Sequence, residues 1–356
     1  MRECLALARP SIGLTTPNPA VGCVIVRDGR VVGRGITAPS GRPHAETVAL
    51  ARAGARAHGA TVYVSFEPCA HQGQTPPCAR ALIEAGVGRV VVGCRDPYPL
   101  VQGRGIAMLR RAGISTVVGV LDAESRELNA GFISRVTRGR PLVRLKLAVT
   151  LDGRIAAASG DSRWISSAPS RDLVHQWRRE SDVVMVGAAT VQADNPRLTC
   201  RVAGGRDPVR LVVDPALRCD PAARIFHQRS RAATIVATTV ANRHAAEERY
   251  GSRAEVIAVV ATRGGLQLAG LMRALGQRGW CRVLLEGGAH LAGAALRAGI
   301  VDCVAFFVAP KILGGGLSAI EGLTASTMRT ALKLEQMTAR PIGDDWLIEA
   351  AVAPRR

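Results

Sequence analysis

His44-Ala45-Glu46, then Glu67-Pro68-Cys69, then Cys78 restrict what this chain can fold into more than any other feature. A histidine and two cysteines are the nitrogen and sulfur donors that zinc prefers, and three protein ligands leave a fourth position for water. To share one ion, three separated segments must converge, and the local sequence allows it. Residues 61–65 read as a strand that runs into Glu67-Pro68-Cys69. His44 opens a helical stretch reaching Ala57, and a second helix, Pro77 to Ala85, begins around Cys78. Free N–H groups at helix starts favour thiolates and suit this placement. Glu46, two positions past the histidine, can move a proton without binding the metal. Zinc held this way lowers the pKa of its water from about 15.7 to about 7, so hydroxide is available at neutral pH.

The ordered set H-x-E…P-C…C is the arrangement of zinc deaminases that act on nucleobases. One departure is plain. Those sites close with C-x-x-C, whereas eight residues, Ala70 to Pro77, separate the cysteines here. Glycine and two prolines make that insert a loop able to fold back, so both sulfurs can reach one ion. The alternative is two buried free cysteines and a surface histidine. His71 is a rival ligand; as a fourth it would close the site and suit a structural zinc. Its expected role is to contact substrate or orient a neighbour.

A length of 356 residues suggests about two domains. Aromatics are only 3% of the chain, so the cores must rest on Val, Leu, Ala and Ile. No apolar run is long enough to span a membrane, and Met1-Arg2-Glu3-Cys4 opens no signal-peptide pattern. Nine cysteines without an export signal argue for reduced thiols and a cytoplasmic location. The formal charge of +19 comes almost wholly from arginine, with lysine only at 146, 311 and 333. The arginines are scattered and stacking aromatics are scarce, so no nucleic acid is expected as partner. Small phosphate-bearing molecules fit better, with compositional bias as a second source of the charge.

The chain divides near Arg138-Gly139-Arg140-Pro141. Before that point strands at 21–26 and 30–32 flank the Asp28-Gly29 turn, and a strand at 90–93, a helix at 106–112 and a strand at 116–118 follow the metal motif. Pro17-Asn18-Pro19 fixes an extended approach to the first strand; Asn18 either offers its amide to a substrate ring or ribose or simply forms a turn. After the division, 142–150 reads as a strand with Arg144 and Lys146 on one face. A helix at 170–179, strands at 182–186, 209–213, 233–237 and 256–260, and a helix at 266–277 come next. Strand 283–285 ends in Glu286-Gly287-Gly288 before a helix from Ala289 to Ala298, and such a unit can cradle a phosphate on its free N–H groups. Taken alone, an ordinary tight turn is the simpler reading, and Lys311 to Gly316 reads as a loop.

Taken together, these segments resemble one family. Thr16-Pro17-Asn18-Pro19, Val21-Gly22-Cys23, His44-Ala45-Glu46, Glu67-Pro68-Cys69, Thr75-Pro76-Pro77-Cys78 and Gly103-Arg104-Gly105 match the order and spacing of the bifunctional riboflavin-biosynthesis deaminase/reductases. The insert between the cysteines, ending in Gly-x-Thr-Pro-Pro-Cys, separates that family from other cytidine-deaminase-like proteins. Leu145-Lys146-Leu147, Leu151-Asp152-Gly153, Ser162-Arg163-Trp164-Ile165, Ala193-Asp194-Asn195-Pro196 and Glu286-Gly287-Gly288 resemble its reductase half.

The resemblance implies an α/β fold, with a cytidine-deaminase-like α/β/α sandwich over 1–140 and a dihydrofolate-reductase-like α/β domain over 141–356. It implies zinc on His44, Cys69 and Cys78, with Glu46 catalytic. NADPH falls to Ala148, Trp164, Thr190, Asp194 and the stretch Gly288, Ala289, His290, Leu291, Ala292, Gly293 and Ala294. A small phosphorylated pyrimidine falls to Asn18, Lys146, Ser162, Arg178, Leu198, Arg201 and Glu286, the two arginines suiting its phosphate. Lys146, Asp152 and Asp194 are expected to converge on the ribose being reduced. A homo-oligomer is expected, and no membrane partner. Thr37 and Arg34 depart from the histidine and glutamate that the family often has, near the expected pocket mouth. A nucleic-acid-editing deaminase would leave the second half unexplained. A non-catalytic paralogue would have favoured loss of Glu46 or Asp194, and both are present.

Overall fold

The computed structural model describes residues 1–72, 76–99 and 101–353. Gly73-Gln74-Thr75 of the inter-cysteine insert lie outside the described residues. The chain splits into two compact units, Met1–Arg140 and Pro141–Arg356.

In the first unit the elements are α1 (Arg2–Ala8), β1 (Gly22–Arg27), β2 (Arg30–Ile36), α2 (Ala45–Ala53), β3 (Thr61–Phe66), α3 (Cys78–Glu84), β4 (Arg89–Cys94), α4 (Arg104–Arg111), β5 (Ser115–Val118), α5 (Asp122–Leu128) and α6 (Ala130–Arg138). The sheet order is β2-β1-β3-β4-β5, with β3, β4 and β5 parallel and β1 antiparallel to both its neighbours. Glycines set how helices lie on it. A Cβ at Gly35 of β2 would sit 1.9 Å from Ala45 O of α2, and one at Gly22 of β1 would sit 2.0 Å from Cys4 O of α1. Cys23, not Gly22, is paired with Gly35, and successive residues point to opposite faces. So α1 and α2 cover opposite faces, which makes an α/β/α sandwich. The helical stretch from His44 is shorter than its composition suggests. α2 stops at Ala53 because Gly54 takes φ 56, and Gly54–Ala57 turns as a separate 3₁₀ segment.

The second unit contains β6 (Leu142–Thr150), β7 (Arg154–Ala156), α7 (Ala168–Glu180), β8 (Val183–Gly187), α8 (Ala188–Asp194), β9 (Val209–Val213), β10 (Thr234–Thr239), α9 (Arg243–Tyr250), β11 (Glu255–Val259), β12 (Ala261–Thr262), β13 (Gly265–Leu266), α10 (Leu268–Gln277), β14 (Arg282–Glu286), α11 (Ala289–Arg297), β15 (Cys303–Ala309), β16 (Leu317–Ser318), β17 (Leu334–Ile342) and β18 (Asp345–Val352). Nine strands form one sheet in the order β11-β10-β9-β8-β14-β6-β15-β18-β17; the first seven are mutually parallel, and the last two pairings, β15 with β18 and β18 with β17, are antiparallel. Alternate residues bury on opposite faces. Leu145, Leu147, Met185, Leu211 and Leu285 pack with α10 and α11, while Val184, Val186, Val212, Leu284 and Phe307 pack with α7 and α9. A mostly parallel sheet buried on both faces accounts for the apolar strand sequences.

Candidate active sites

At the opening of α2, His44 takes the N-cap position and turns Nδ1 toward both sulfurs, 3.1 Å from Cys78 Sγ and 3.6 Å from Cys69 Sγ. Cys78 is the first residue of α3, and its backbone N–H donates to Cys69 Sγ at 3.3 Å. One donor atom from each of His44, Cys69 and Cys78 lies within 4.8 Å of the others. A nitrogen and two sulfurs this close, shielded from solvent and two of them at helix starts, form a donor set that fits zinc. Hydrogen bonding from Cys78 draws the Cys69 thiol down to about 4, whereas the bond to Cys69 and burial push the Cys78 thiol up. Glu46, in the first turn of α2, is buried beside them, and burial pushes its carboxyl up to about 7. His71 is exposed and stands outside this cluster.

Cys69 follows a buried carboxylate whose hydrogen bonds reach far along the chain. Glu67 Oε2 accepts the N–H groups of Asp96 (3.2 Å) and Gly103 (3.0 Å), and Oε1 accepts those of Gly105 (3.1 Å) and Ile106 (3.3 Å). Glu67 thereby caps the open N-terminus of α4, where four N–H groups lack helical partners. A Cβ at Gly105 would meet Pro68 O at 1.9 Å. The Gly-Arg-Gly motif and the Glu-Pro-Cys motif are therefore two halves of one contact. The Asn18 amide lies against Gly41, where a Cβ would approach its Nδ2 to 2.0 Å.

Across the carboxyl ends of β6, β8, β9 and β14 the second unit opens a cavity of about 1690 Å³. Such a crevice is where open α/β sheets bind ligands, and it exceeds the roughly 300–1,000 Å³ that one small ligand occupies. Its floor is charged. Arg178 of α7 grips Glu286 with two parallel bonds, Nε to Oε1 at 2.6 Å and Nη2 to Oε2 at 2.9 Å, and spends Nη1 on Thr199 O at 3.0 Å. Burial works to raise the Glu286 carboxyl, but Arg178 overrides it and holds it below the usual carboxylate range. Lys146 lies opposite Glu286 in the strand register. Burial lowers its ammonium pKa, only partly offset by Glu286. Asp194 closes α8, and burial raises its carboxyl against the opposing pull of Arg163 and Lys146. Gly287 and Gly288 have φ 74 and 83, and a Cβ on Gly288 would come within 2.9 Å of Thr190 Oγ1. That bare turn leads into α11, whose first N–H groups are open to an anion. A dinucleotide with its diphosphate fits this cradle.

The RibD C-terminal domain family model matches residues 141–348, and the cytidine and deoxycytidylate deaminase zinc-binding region matches residues 1–94. The riboflavin biosynthesis protein RibD of Aquifex aeolicus is 40% identical over 98% of this chain and 96% of its own. The chain belongs to the RibD family. The RibD of Escherichia coli is 40% identical, covering 97% of this chain and 96% of its own. The crystal structure of a diaminohydroxyphosphoribosylaminopyrimidine deaminase/5-amino-6-(5-phosphoribosylamino)uracil reductase from Thermotoga maritima superposes with a TM-score of 0.89 at 36% identity, over 99% of this chain and 97% of that one. An Acinetobacter baumannii RibD structure gives 0.88 at 35% identity, over 99% and 98%. RibD family membership fixes the fold class: a deaminase-like first unit and a reductase-like second one.

Within this RibD chain the cavity gathers Lys146, Ala148, Ser162, Trp164, Arg178, Thr190, Asp194, Leu198, Arg201 and Glu286, together with Gly288, Ala289, His290, Leu291 and Ala294. Ala292 and Gly293 do not line it. Ala292 is buried in the core, and Gly293 packs against the backbone of Glu321, where a Cβ would lie 1.7 Å from the carbonyl oxygen. Asp152 does not join Lys146 and Asp194. Its carboxylate is spent on the Thr150 hydroxyl (2.6 Å) and on the N–H groups of Leu313 (3.2 Å) and Gly314 (2.8 Å), pinning the glycine-rich loop. Arg34 pairs with Glu3 at 2.6 Å on the surface, and Thr37 is buried, its N–H donating to Val21 O. Sequence reasoning missed Glu67 as a four-fold acceptor and the cavity wall built from Asp214, Pro215, Ala216 and Arg218. For the latter, an acid after an apolar strand was the available signal.

Proposed function

We propose that the chain carries out two successive steps of riboflavin biosynthesis, with the deaminase domain over 1–140 and the reductase domain over 141–356. The first unit hydrolyses the ring 2-amino group of 2,5-diamino-6-(5-phosphoribosylamino)pyrimidin-4(3H)-one. The second reduces the ribose of the product to a ribityl chain, giving 5-amino-6-(5-phosphoribitylamino)uracil. The observation that carries this reading is the convergence of His44, Cys69 and Cys78 beside buried Glu46, in a chain that also holds the reductase cavity.

His44 Nδ1, Cys69 Sγ and Cys78 Sγ are the atoms assigned to zinc. Zinc at that site supplies acidified water at neutral pH. Glu46 is within reach of the cluster without being part of it, so it takes a proton from the attacking water and returns it to the departing amine. Asn18 orients the substrate. In the second unit NADPH supplies hydride, and the protein supplies position and proton. Gly288, Ala289, His290, Leu291 and Ala294 on α11, with Thr190, Ala148 and Trp164, hold the cofactor, and Asp194 borders it. Lys146 and Asp194 hold the proton delivered beside the reduced carbon. Glu286, fixed by Arg178, faces the sugar, and Arg178 keeps one N–H on each Nη for a phosphate oxygen, with Arg201, Ser162 and Leu198 beside it.

The nine cysteines, all free, suit a reducing compartment and support a cytoplasmic location. No helix among the described residues is long and apolar enough to cross a membrane. A homo-oligomer is supported by β17, an outer strand that exposes Leu334 and Met337. The test of the whole reading is to incubate the protein with the diaminopyrimidinone phosphate, with and without NADPH, and weigh the products. Loss of an amine without NADPH and gain of two hydrogens with it are expected; an unchanged substrate in both arms would overturn the reading.

A further inference from the structure

We propose that Asn129 and Arg135 are positioning residues for deamination: from the α5–α6 junction they clamp the loop that presents Asn18 to the substrate. The inference rests on the reading of Asn18 as the residue that orients the substrate. Asn129 stands between the two helices, as C-cap of α5 and N-cap of α6. An asparagine at an N-cap ordinarily turns its side-chain oxygen to an N–H of the helix's first turn. Asn129 makes no such bond. Its carboxamide instead takes both backbone groups of Ala20, 109 residues earlier. Oδ1 accepts the Ala20 N–H at 2.8 Å, and Nδ2 donates to Ala20 O at 3.0 Å. That is the pair of bonds a neighbouring strand would give. Both residues are buried, so neither group has water as an alternative partner. Further along α6, Arg135 donates from Nη2 to Pro17 O at 2.9 Å.

The two anchors bracket Asn18, one at the residue before it and one two residues after. Between them the loop closes on itself. The Asn18 N–H donates to Thr15 O at 2.8 Å, and the Thr15 hydroxyl donates to Asn18 O at 3.1 Å. Pro19 has no N–H to place. The backbone of Asn18 is thus spent, which leaves its carboxamide, half-buried against Gly41, as the group to meet a ligand. Leu128, beside Asn129, packs with Ile12 and Ala20 on either side of the loop. Arg135 is itself located by Phe132, whose ring centroid lies 5.7 Å from the guanidinium carbon. Phe132 in turn meets Phe66 edge-on, with centroids 5.7 Å apart. Phe66 ends β3, the strand that delivers Cys69 to the donor set. The Asn18 loop is therefore indexed to the frame that holds the metal ligands. A misplacement of about 1 Å in such an alignment can cost about 10²-fold in rate.

Deamination of the diaminopyrimidinone phosphate by the full chain, read as kcat/KM in a double-mutant cycle, tests the clamp. Asn18→Ala should lose about 10-fold, the scale of one hydrogen bond to substrate. Asn129→Ala and Arg135→Ala should each lose about 3- to 10-fold with zinc content unchanged. Added to Asn18→Ala, either should cost less than about 2-fold more, because residues that act through one another are not additive. Arg135→Lys keeps a donor for Pro17 O and should recover most of the loss. Arg135 is half-buried, so its variants decide the matter even where Asn129→Ala does not fold. Losses that multiply in the double variants overturn the proposal, as do single variants that keep the parent rate or shed zinc. An Asn18→Ala variant that deaminates like the parent instead removes Asn18 from the substrate site, and the role of the clamp falls with it.

Discussion

Cys78 and Glu46 touch the same cluster, yet their removal should leave different marks. Cys78 supplies a donor atom within 4.8 Å of the other two, so Cys78→Ala leaves only two protein ligands where zinc sites use three or four. Metal analysis should find that variant largely empty; full zinc occupancy would remove Cys78 from the ligand set. Glu46 stands outside the donor set, so Glu46→Gln should keep its zinc and lose deamination by roughly 10²–10⁴-fold, the usual worth of a proton shuttle. Activity within a few-fold of the parent would take Glu46 out of the mechanism. At this scale the sequence was legible because the informative residues are rare types in a fixed order. A histidine, a glutamate two positions on and two flanked cysteines leave few other uses. What it did not disclose is direction. Nothing in the string says that His44 presents Nδ1, that Asp152 turns away to the Leu313-Gly314 backbone, or that Arg178 and Glu286 meet each other. Those outcomes depend on which backbone groups tertiary packing brings within reach.

Elements of the first unit are tied together by side chains that no periodicity identifies. Glu67 accepts four N–H groups from the β4–α4 connection and the start of α4. Glu67→Ala would leave those largely buried donors unpaired, at a cost on the order of 3 kcal/mol. Because Glu67 also fixes the backbone two residues before Cys69, the same variant should weaken zinc binding while Glu67→Gln, which keeps an acceptor oxygen, recovers part of both losses. Thermal melting and a zinc competition assay on the two variants check this; an alanine variant that melts and binds zinc like the parent would show the clamp to be idle. The buried strands β3, β6, β8, β9 and β14 were readable as apolar runs. β2 was readable only in part, since Gly33 and Gly35 break a strand pattern, and they are there because α2 lies directly on them. α9 (Arg-His-Ala-Ala-Glu-Glu-Arg-Tyr) buries only Ala246 and Tyr250, too few to mark a face. β17 is exposed over nearly its whole length, so no in–out alternation distinguishes it from a loop.

For the whole molecule, the decisive consequence of two units with separate cores is that each reaction can be removed alone. The zinc-type cluster belongs to Met1–Arg140 and the cavity to Pro141–Arg356. Glu46→Gln should therefore reduce a pre-deaminated substrate at the parent rate, and a folded variant that failed to do so would contradict two independent sites. The converse variant tests the chemistry of the second unit. Asp194 is half-buried at the end of α8, with its carboxyl raised by burial and Lys146 close enough to pull it down. Lys146 is itself lowered by burial, so the two share a poorly solvated corner in which a proton can be held and released. Hydride from the cofactor and a proton from this corner are both needed to turn the ribose into an open ribityl chain. Asp194→Asn keeps the shape and removes the exchangeable charge. Reduction should fall by roughly 10²-fold or more, with deamination unchanged because that site lies in the other unit. With NADPD as donor the parent should place one deuterium on the former anomeric carbon, since that carbon is the one the opened sugar offers as hydride acceptor. Deuterium on the pyrimidine ring would mean that the base and not the sugar faces the cofactor. Normal reduction by Asp194→Asn would leave Lys146 as the sole proton donor, with Asp194 a neighbour that only shapes the wall.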